Sequence, residues 1–165
     1  MIIICHEGKL VYCNWDDPDC DHKLKAIERK LNEACGSGSL EEDRLAMEKA
    51  EKQLEEYFRN ERTDFDLPVE FIGSEFQKKV WTLLTDIKYG ETVTYKTLAE
   101  RCGNPGSVRA VAKACGSNPV AVIAGCHRVV ASNGKLGGYT GGTDKKIWLL
   151  NHEIQKIFAG MKKTL

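Results

Sequence analysis

The sequence predicts an α/β fold in two parts: a small N-terminal sheet-plus-helix domain, then a mostly helical domain containing a helix-turn-helix. Three observations lead there. Two short β-prone runs, residues 2–5 and 9–15, flank Glu7-Gly8 as the strands of a hairpin flank their turn. From residue 24 onward, apolar residues recur at helical spacing between glycine- and proline-containing stops. The charge also divides. Residues 1–69 hold 10 Lys+Arg against 17 Asp+Glu, whereas residues 70–165 hold 14 against 7, so a formal net charge of zero conceals an acidic and a basic half. Such a split marks two modules, drawn here at 1–68 and 69–165.

Taken in order, the hairpin is followed by a helix whose one face carries Leu24, Ile27, Leu31 and Ala34, ended by Gly36-Ser37-Gly38. Ser39 with Glu42 has the form of a capping box for a second helix with the stripe Met47, Ala50, Leu54, Tyr57 and Phe58. Asp64 to Pro68 breaks that pattern and begins a linker. Ser74 with Gln77 is another capping box, before a helix with Phe76, Val80, Leu83, Leu84 and Ile87 on one face and a stop at Lys88-Tyr89-Gly90. A short helix from Tyr95 to Arg101 ends at Gly103. After the turn Asn104-Pro105-Gly106, Ser107 is placed to cap a helix bearing Val108, Val111, Ala112 and Cys115 that stops at Gly116. Two short helices joined by a glycine-containing turn read as a helix-turn-helix. The apolar run 119–124 is too short for a helix and reads as strand or extended chain. Gly134, Gly137, Gly138, Gly141 and Gly142 mark a flexible loop, and a last helix from near Asp144 carries Ile147, Leu150, Ile154 and Ile157.

Composition narrows the class. At 42% hydrophobic and 29% charged residues over 165 positions, the chain fits an ordinary soluble globular protein. No apolar run approaches the roughly 18 residues that span a bilayer, and Met1 to Ile4 is too short for a signal-peptide core. Seven cysteines, an odd number without regular spacing, argue against a secreted disulfide framework and for reduced thiols in the cytoplasm. The basic second half is the better candidate for an anionic partner such as nucleic acid.

The sharpest local feature is Gly125-Cys126-His127-Arg128-Val129-Val130. A cysteine attacks as its thiolate, and an imidazole nearby can take the proton. Neighbouring side chains in an extended segment point to opposite faces. Cys126 and His127 can therefore meet only across a turn or through a water, with a third group such as Glu153 to orient the base. The competing reading is a buried cysteine beside a surface histidine. Cys102 and Cys115 fall where helix cores would bury them.

The surrounding blocks decide between these readings. Phe76-Gln77-Lys78-Lys79-Val80-Trp81, Tyr89-Gly90-Glu91-Thr92-Val93-Thr94-Tyr95, Arg109-Ala110-Val111, Ser117-Asn118-Pro119 and Cys126-His127-Arg128-Val129-Val130 occur in an order and spacing that resemble the O6-alkylguanine-DNA alkyltransferases. The likeness runs on through Ser132-Asn133-Gly134-Lys135-Leu136, Gly138-Tyr139 and Gly141-Gly142 to Trp148-Leu149-Leu150-Asn151-His152-Glu153, and covers roughly residues 72–155. The first 70 residues resemble the family's variable N-terminal domain only loosely.

The resemblance implies a methylated-DNA–protein-cysteine methyltransferase. It implies cofactor-free DNA repair that flips the damaged base and moves its alkyl group irreversibly to Cys126, once per molecule. His127 then matches the general base acting through a water, Glu153 the carboxylate that orients it, and Asn118 the residue bracing the active turn. Tyr95 matches the tyrosine that contacts the guanine, and Tyr139 with Thr140 the pocket wall. Arg109 matches the arginine that fills the gap left by the flipped nucleotide, while Arg128 and Ser132 are expected among the substrate and DNA contacts. The implied partner is double-stranded DNA containing O6-alkylguanine, bound by a monomer with no membrane association.

Two positions depart from the family's pattern. Gly125 stands where proline usually precedes the acceptor cysteine, which suggests a looser turn, and Ala121 stands where some members carry a proline that narrows the pocket. Cys5, Cys13, Cys20 and His22 could supply ligands to a structural zinc, as in some members, but their spacing matches no standard pattern and no metal is expected. The alternative function is a recognition module or regulator that flips the alkylated base without dealkylating it. Relatives of that kind replace the acceptor cysteine, which this chain retains. A cysteine hydrolase would need turnover and an oxyanion site, and nothing in the sequence suggests either.

Overall fold

A computed structural model of the chain describes residues 1–18, 20–35 and 43–162. It has the expected plan, a small N-terminal sheet with helices followed by a helical part. Strands β1 (Ile2–His6) and β2 (Lys9–Asn14) pair antiparallel with His6 opposite Lys9. Glu7 and Gly8 between them both take positive φ, 48° and 77°, the two-residue turn that suits the twist of paired strands. Helices α1 (Cys20–Cys35) and α2 (Arg44–Phe58) follow. The capping box read at Ser39 and Glu42 lies outside the described residues. Asp43 caps α2 by accepting from the Ala46 N–H, and Ala50, Gln53, Leu54 and Tyr57 are the residues that α2 buries.

In the second part, Ser74 and Gln77 form the expected reciprocal cap on α3 (Glu75–Thr85). Helices α4 (Tyr95–Arg101) and α5 (Val108–Gly116), joined through a single 3₁₀ turn at Pro105–Ser107, make the helix-turn-helix. Ser107 does not cap α5. The 3₁₀ turn diverts its hydroxyl, which donates to the Asn104 carbonyl at 2.6 Å. Two-residue strands β3 (Val93–Thr94) and β4 (Val129–Val130) pair in parallel, and α6 (Thr143–Lys162) closes the described chain.

Two sequence expectations are corrected. The run 119–124 is not a strand. After Val120 bridges to Cys13, the chain turns back, with Ile123 N–H donating to Ala121 O and Ala124 N–H to Val120 O. Val122 sits at φ 71°, a left-handed conformation that costs a β-branched residue on the order of 1–3 kcal/mol and that the packing around this fully buried side chain sustains. The stripe on α6 is also rotated from the apolar one. Ile147 and Ile154 are exposed, while Lys146, Leu149, His152 and Glu153 are buried. A face that buries charged groups must pair them, so it packs on a polar site instead of an oily core.

Segment 120–129 lies at the junction of two cores. Val120, Val122 and Ile123 pack with Leu10, Cys13, Leu54 and Tyr57 from the N-terminal part, while Ala124, Cys126 and Val129 pack with Trp81, Leu98, Val111 and Cys115 from the helical part. Strand β2 borders this segment through Cys13 N–H to Pro119 O (2.9 Å) and Ala121 N–H to Cys13 O (2.6 Å). No helix among the described residues is long and apolar enough to cross a membrane.

Two glycines predict opposite outcomes. Gly90 has φ 74°, and a Cβ there would overlap Ile157, whereas a Cβ on helical Gly116 meets nothing within 4 Å. Gly90→Ala should destabilise the protein by more than about 1 kcal/mol, and Gly116→Ala should stabilise it by about 0.4–1 kcal/mol, as read from denaturant midpoints.

Candidate active site

Cys126, His127 and Arg128 form a single 3₁₀ turn entering β4, and all three side chains are buried. The segment is therefore a turn and not the extended chain in which adjacent side chains point to opposite faces. Asn118 clamps its approach. Its amide nitrogen lies 3.0 Å from Ala124 O, 3.2 Å from Val120 O and 3.1 Å from Cys126 Sγ, and its oxygen accepts from Val120 N–H at 3.0 Å. With two N–H groups facing three acceptors, the amide shares its donation across the whole bend. Burial pushes the Cys126 thiol up to about 11, against the opposing pull of the Asn118 hydrogen bond and the Lys146 charge. At neutral pH it rests as a thiol.

His127 is fully buried, which excludes the surface-histidine reading. Its Nε2 lies 2.8 Å from Glu153 Oε1, and burial holds its imidazole below the ordinary histidine range. Burial also raises Glu153, but hydrogen bonds and charge from His127 and Arg128 outweigh this and hold its carboxyl down to about 2. An ionised carboxylate only accepts, so His127 Nε2 carries the proton and donates. Neutral His127 therefore keeps its lone pair on Nδ1, which has no hydrogen-bond partner among the described residues.

Glu153 also accepts from Tyr57 OH at 2.7 Å, from Gly90 N–H at 2.7 Å and from Arg128 Nη2 at 2.9 Å. Arg128 was expected to touch DNA. The structure corrects this: the side chain is buried, its Nε and Nη2 face Glu153 and its Nη1 donates to Ile87 O. A guanidinium beside a buried carboxylate neutralises it, and that is the role the geometry gives Arg128.

Tyr95, Ala112, Gly116, Gly137, Gly138, Tyr139 and Thr140 line a cavity of about 460 Å³. Tyr95 and Tyr139 pack on the core cluster containing Cys126, and the Tyr139 ring meets His127 edge-on with centroids 6.4 Å apart. Tyr95 OH donates to Gly138 O at 3.3 Å, and Thr140 Oγ1 to Gly116 O at 2.9 Å. Arg109 is exposed on the first turn of α5, and Ser132 is exposed just beyond β4.

Three contributors escaped the sequence reading. Lys146 is fully buried, and its ammonium donates to the carbonyls of Val129, Leu136 and Gly138, which ties the glycine loop to β4. Tyr57 was read only as core, although a buried hydroxyl needs a partner. Trp15 had no role assigned, yet its indole reaches Tyr139. Lys146 had a usable signal, since it shares a helix face with Leu149 and Glu153.

Gly125 has φ −66°, which proline would also adopt, but a Cβ there would lie 3.0 Å from Arg128 Cδ. The turn is not loose. Cys126 N–H to Ala124 O, Arg128 N–H to Gly125 O and the Asn118 clamp all hold it. Among the described residues no group of three or more His, Cys, Asp or Glu side chains could hold a metal ion.

Residues 75–155 match the family model described as 6-O-methylguanine DNA methyltransferase, DNA binding domain, and residues 1–71 match its ribonuclease-like domain. The chain belongs to the 6-O-methylguanine DNA methyltransferase family. It is 50% identical over 101 residues to a methylated-DNA–protein-cysteine methyltransferase of Mycolicibacterium paratuberculosis, a match covering 61% of each chain. The crystal structure of the Mycobacterium tuberculosis O6-methylguanine methyltransferase superposes with a TM-score of 0.72 at 35% identity, covering 92% of this chain and 84% of that one. A structure of Mycobacterium tuberculosis OGT in complex with DNA gives 0.65 at 45% identity, covering 66% and 68%.

The buried cluster sets the acid limb of stability for this family member. His127 and Glu153 both have folded-state values below their unfolded ones, 6.5 and 4.5. The unfolded chain therefore binds protons first, and stability rises with pH across both windows. Stability should be full above about 6.5 and decline as pH falls, with the Glu153 share lost between 4.5 and about 2. Denaturant unfolding at a series of pH values reads this. Glu153→Gln should cost about 3–5 kcal/mol at neutral pH by stranding Arg128, and should flatten the lower part of the limb.

Proposed function

We propose that this chain repairs double-stranded DNA by moving the alkyl group of O6-alkylguanine onto Cys126 Sγ, once per molecule and without a cofactor. The observation that carries the reading is the buried run Cys126, His127 and Glu153 beside the cavity walled by Tyr95 and Tyr139. The thiol proton passes to His127 Nδ1, directly or through a water. The imidazolium that forms is neutralised by Glu153 at 2.8 Å. Sγ then forms a bond to the alkyl carbon as the carbon–O6 bond breaks, and the electron pair leaves with guanine. Donation toward the base by Tyr95 OH and by the Thr140 backbone N–H makes guanine a better leaving group. The thioether is stable, and no neighbouring group is suited to cleave it.

The target oxygen is buried in a duplex, so the base must be extruded at a cost of a few kcal/mol. Exposed Arg109 on α5, the second helix of the helix-turn-helix, is free to occupy the vacated stack, as wedges do in minor-groove binders. The names of the relatives and the DNA complex of one of them support the substrate and the partner. Five described cysteines are free, which suits the cytosol. A recognition module that does not dealkylate is the alternative, and the retained thiol favours transfer.

Incubation with a duplex containing O6-methylguanine should add one methyl group to the intact mass, on Cys126. Cys126→Ser should abolish transfer while retaining DNA binding. Methyl on Cys102 or Cys115, or tight binding by the unaltered chain without transfer, would sink the proposal. Affinity should fall steeply with salt and vary little with sequence. Arg109→Ala should slow repair in duplex more than reaction with the free base, and equal losses would mean that Arg109 serves the fold or chemistry instead.

A further inference from the structure

Trp15, directly after β2, touches the cavity wall from outside the segment that carries the chemistry. Its indole Nε1 donates to Tyr139 OH at 3.1 Å. Gly141, two residues further along that wall, lies so close that a Cβ there would overlap the indole. Lys145 Nζ stands 5.4 Å from the centre of the Trp15 ring and donates to Gly141 O at 3.2 Å. Phe58 of α2 contacts the ring as well, with centroids 6.3 Å apart. The residue before it is tied to the clamp of the active turn, since Asn14 Nδ2 donates to Asn118 O at 3.3 Å.

We propose that Trp15 is a positioning residue for the base pocket, fixing the Tyr139 ring and the 139–142 backbone so that the wall is formed before an alkylguanine enters. This rests on the reading of the cavity as the guanine pocket. The physical case is one of directed donors. A tyrosine hydroxyl can rotate and its ring can swing about χ1, whereas an indole N–H points one way only. The indole is held by Phe58, Lys145 and the bare backbone of Gly141, so its N–H defines where the Tyr139 oxygen sits. A wall already in place spares the substrate the ordering that binding would otherwise demand. The N-terminal part thus braces both sides of the site from one strand end, Asn14 at the Asn118 clamp and Trp15 at the pocket wall.

The test is a double-mutant cycle with Trp15→Phe and Tyr139→Phe, read in single-turnover transfer from free O6-methylguanine over a range of concentrations. Phenylalanine keeps the ring packing at 15 and removes only the N–H. Trp15→Phe should raise the half-saturating concentration roughly three- to tenfold, the size of one neutral hydrogen bond, and leave the limiting rate unchanged, because it touches none of Cys126, His127 and Glu153. Tyr139→Phe should raise the half-saturating concentration by a similar factor, and on that measure the double variant should lose no more than either alone. Losses that multiply, or an unaltered half-saturating concentration in a natively folded Trp15→Phe, would overturn the proposal. A second readout does not depend on transfer. The Gly142 N–H, which donates to Tyr139 O at 3.0 Å, should exchange with solvent faster in Trp15→Phe, and unchanged exchange counts against the positioning role. If the unaltered protein transfers nothing, the repair reading fails while the exchange experiment still decides this one.

Discussion

The carboxylate of Glu153 is the interaction on which the rest depends. A fully buried negative charge persists only when it is neutralised and its lone pairs are filled. Here the filling comes from four residues: Tyr57 on α2, Gly90 after α3, and both His127 and Arg128 in the active turn. These donors come from three separate parts of the chain, so satisfying one acid draws α2, the 87–90 loop, the active turn and α6 into a single arrangement. The same contacts that make the charge tolerable also set the tautomer of His127. Stability and reactivity are therefore not separable at this site.

The active turn inherits this constraint from both sides. Its first half packs into the N-terminal core and its second half into the helical core, and Asn118 spans the bend between them. The left-handed Val122 and the thiol raised to about 11 both lie within this enclosed stretch. Neither would persist in a mobile loop. A protonated resting thiol also suits the single-use acceptor proposed above, because the thiolate is the form that reacts with oxidants and alkylating agents.

Much of this was legible in the residues. The hairpin at Glu7-Gly8, the Ser74/Gln77 cap and the two helices around Asn104-Pro105-Gly106 are encoded by nearby residues, and local rules read them correctly. The blocks from Asn118 to Glu153 likewise pointed to Asn118, Cys126, His127 and Glu153, which the structure gathers at one buried turn. What escaped depends on contacts between distant positions. Tyr57 meets Glu153 across 96 positions and Trp15 meets Tyr139 across 124, and no local pattern encodes such pairs. The α6 stripe failed for another reason: periodicity scores apolar residues, and the buried face of this helix is polar because it serves the site. Arg128 failed because adjacency in a motif says nothing about which way a side chain turns.

The most direct measurement of the central claim is the protonation state of His127 by heteronuclear NMR of its imidazole nitrogens. If Glu153 orients the base as described, His127 at neutral pH is neutral with its proton on Nε2 and its Nδ1 bare, and Glu153→Gln disturbs that tautomer. A His127 that is imidazolium at neutral pH, or that carries its proton on Nδ1, would contradict the account.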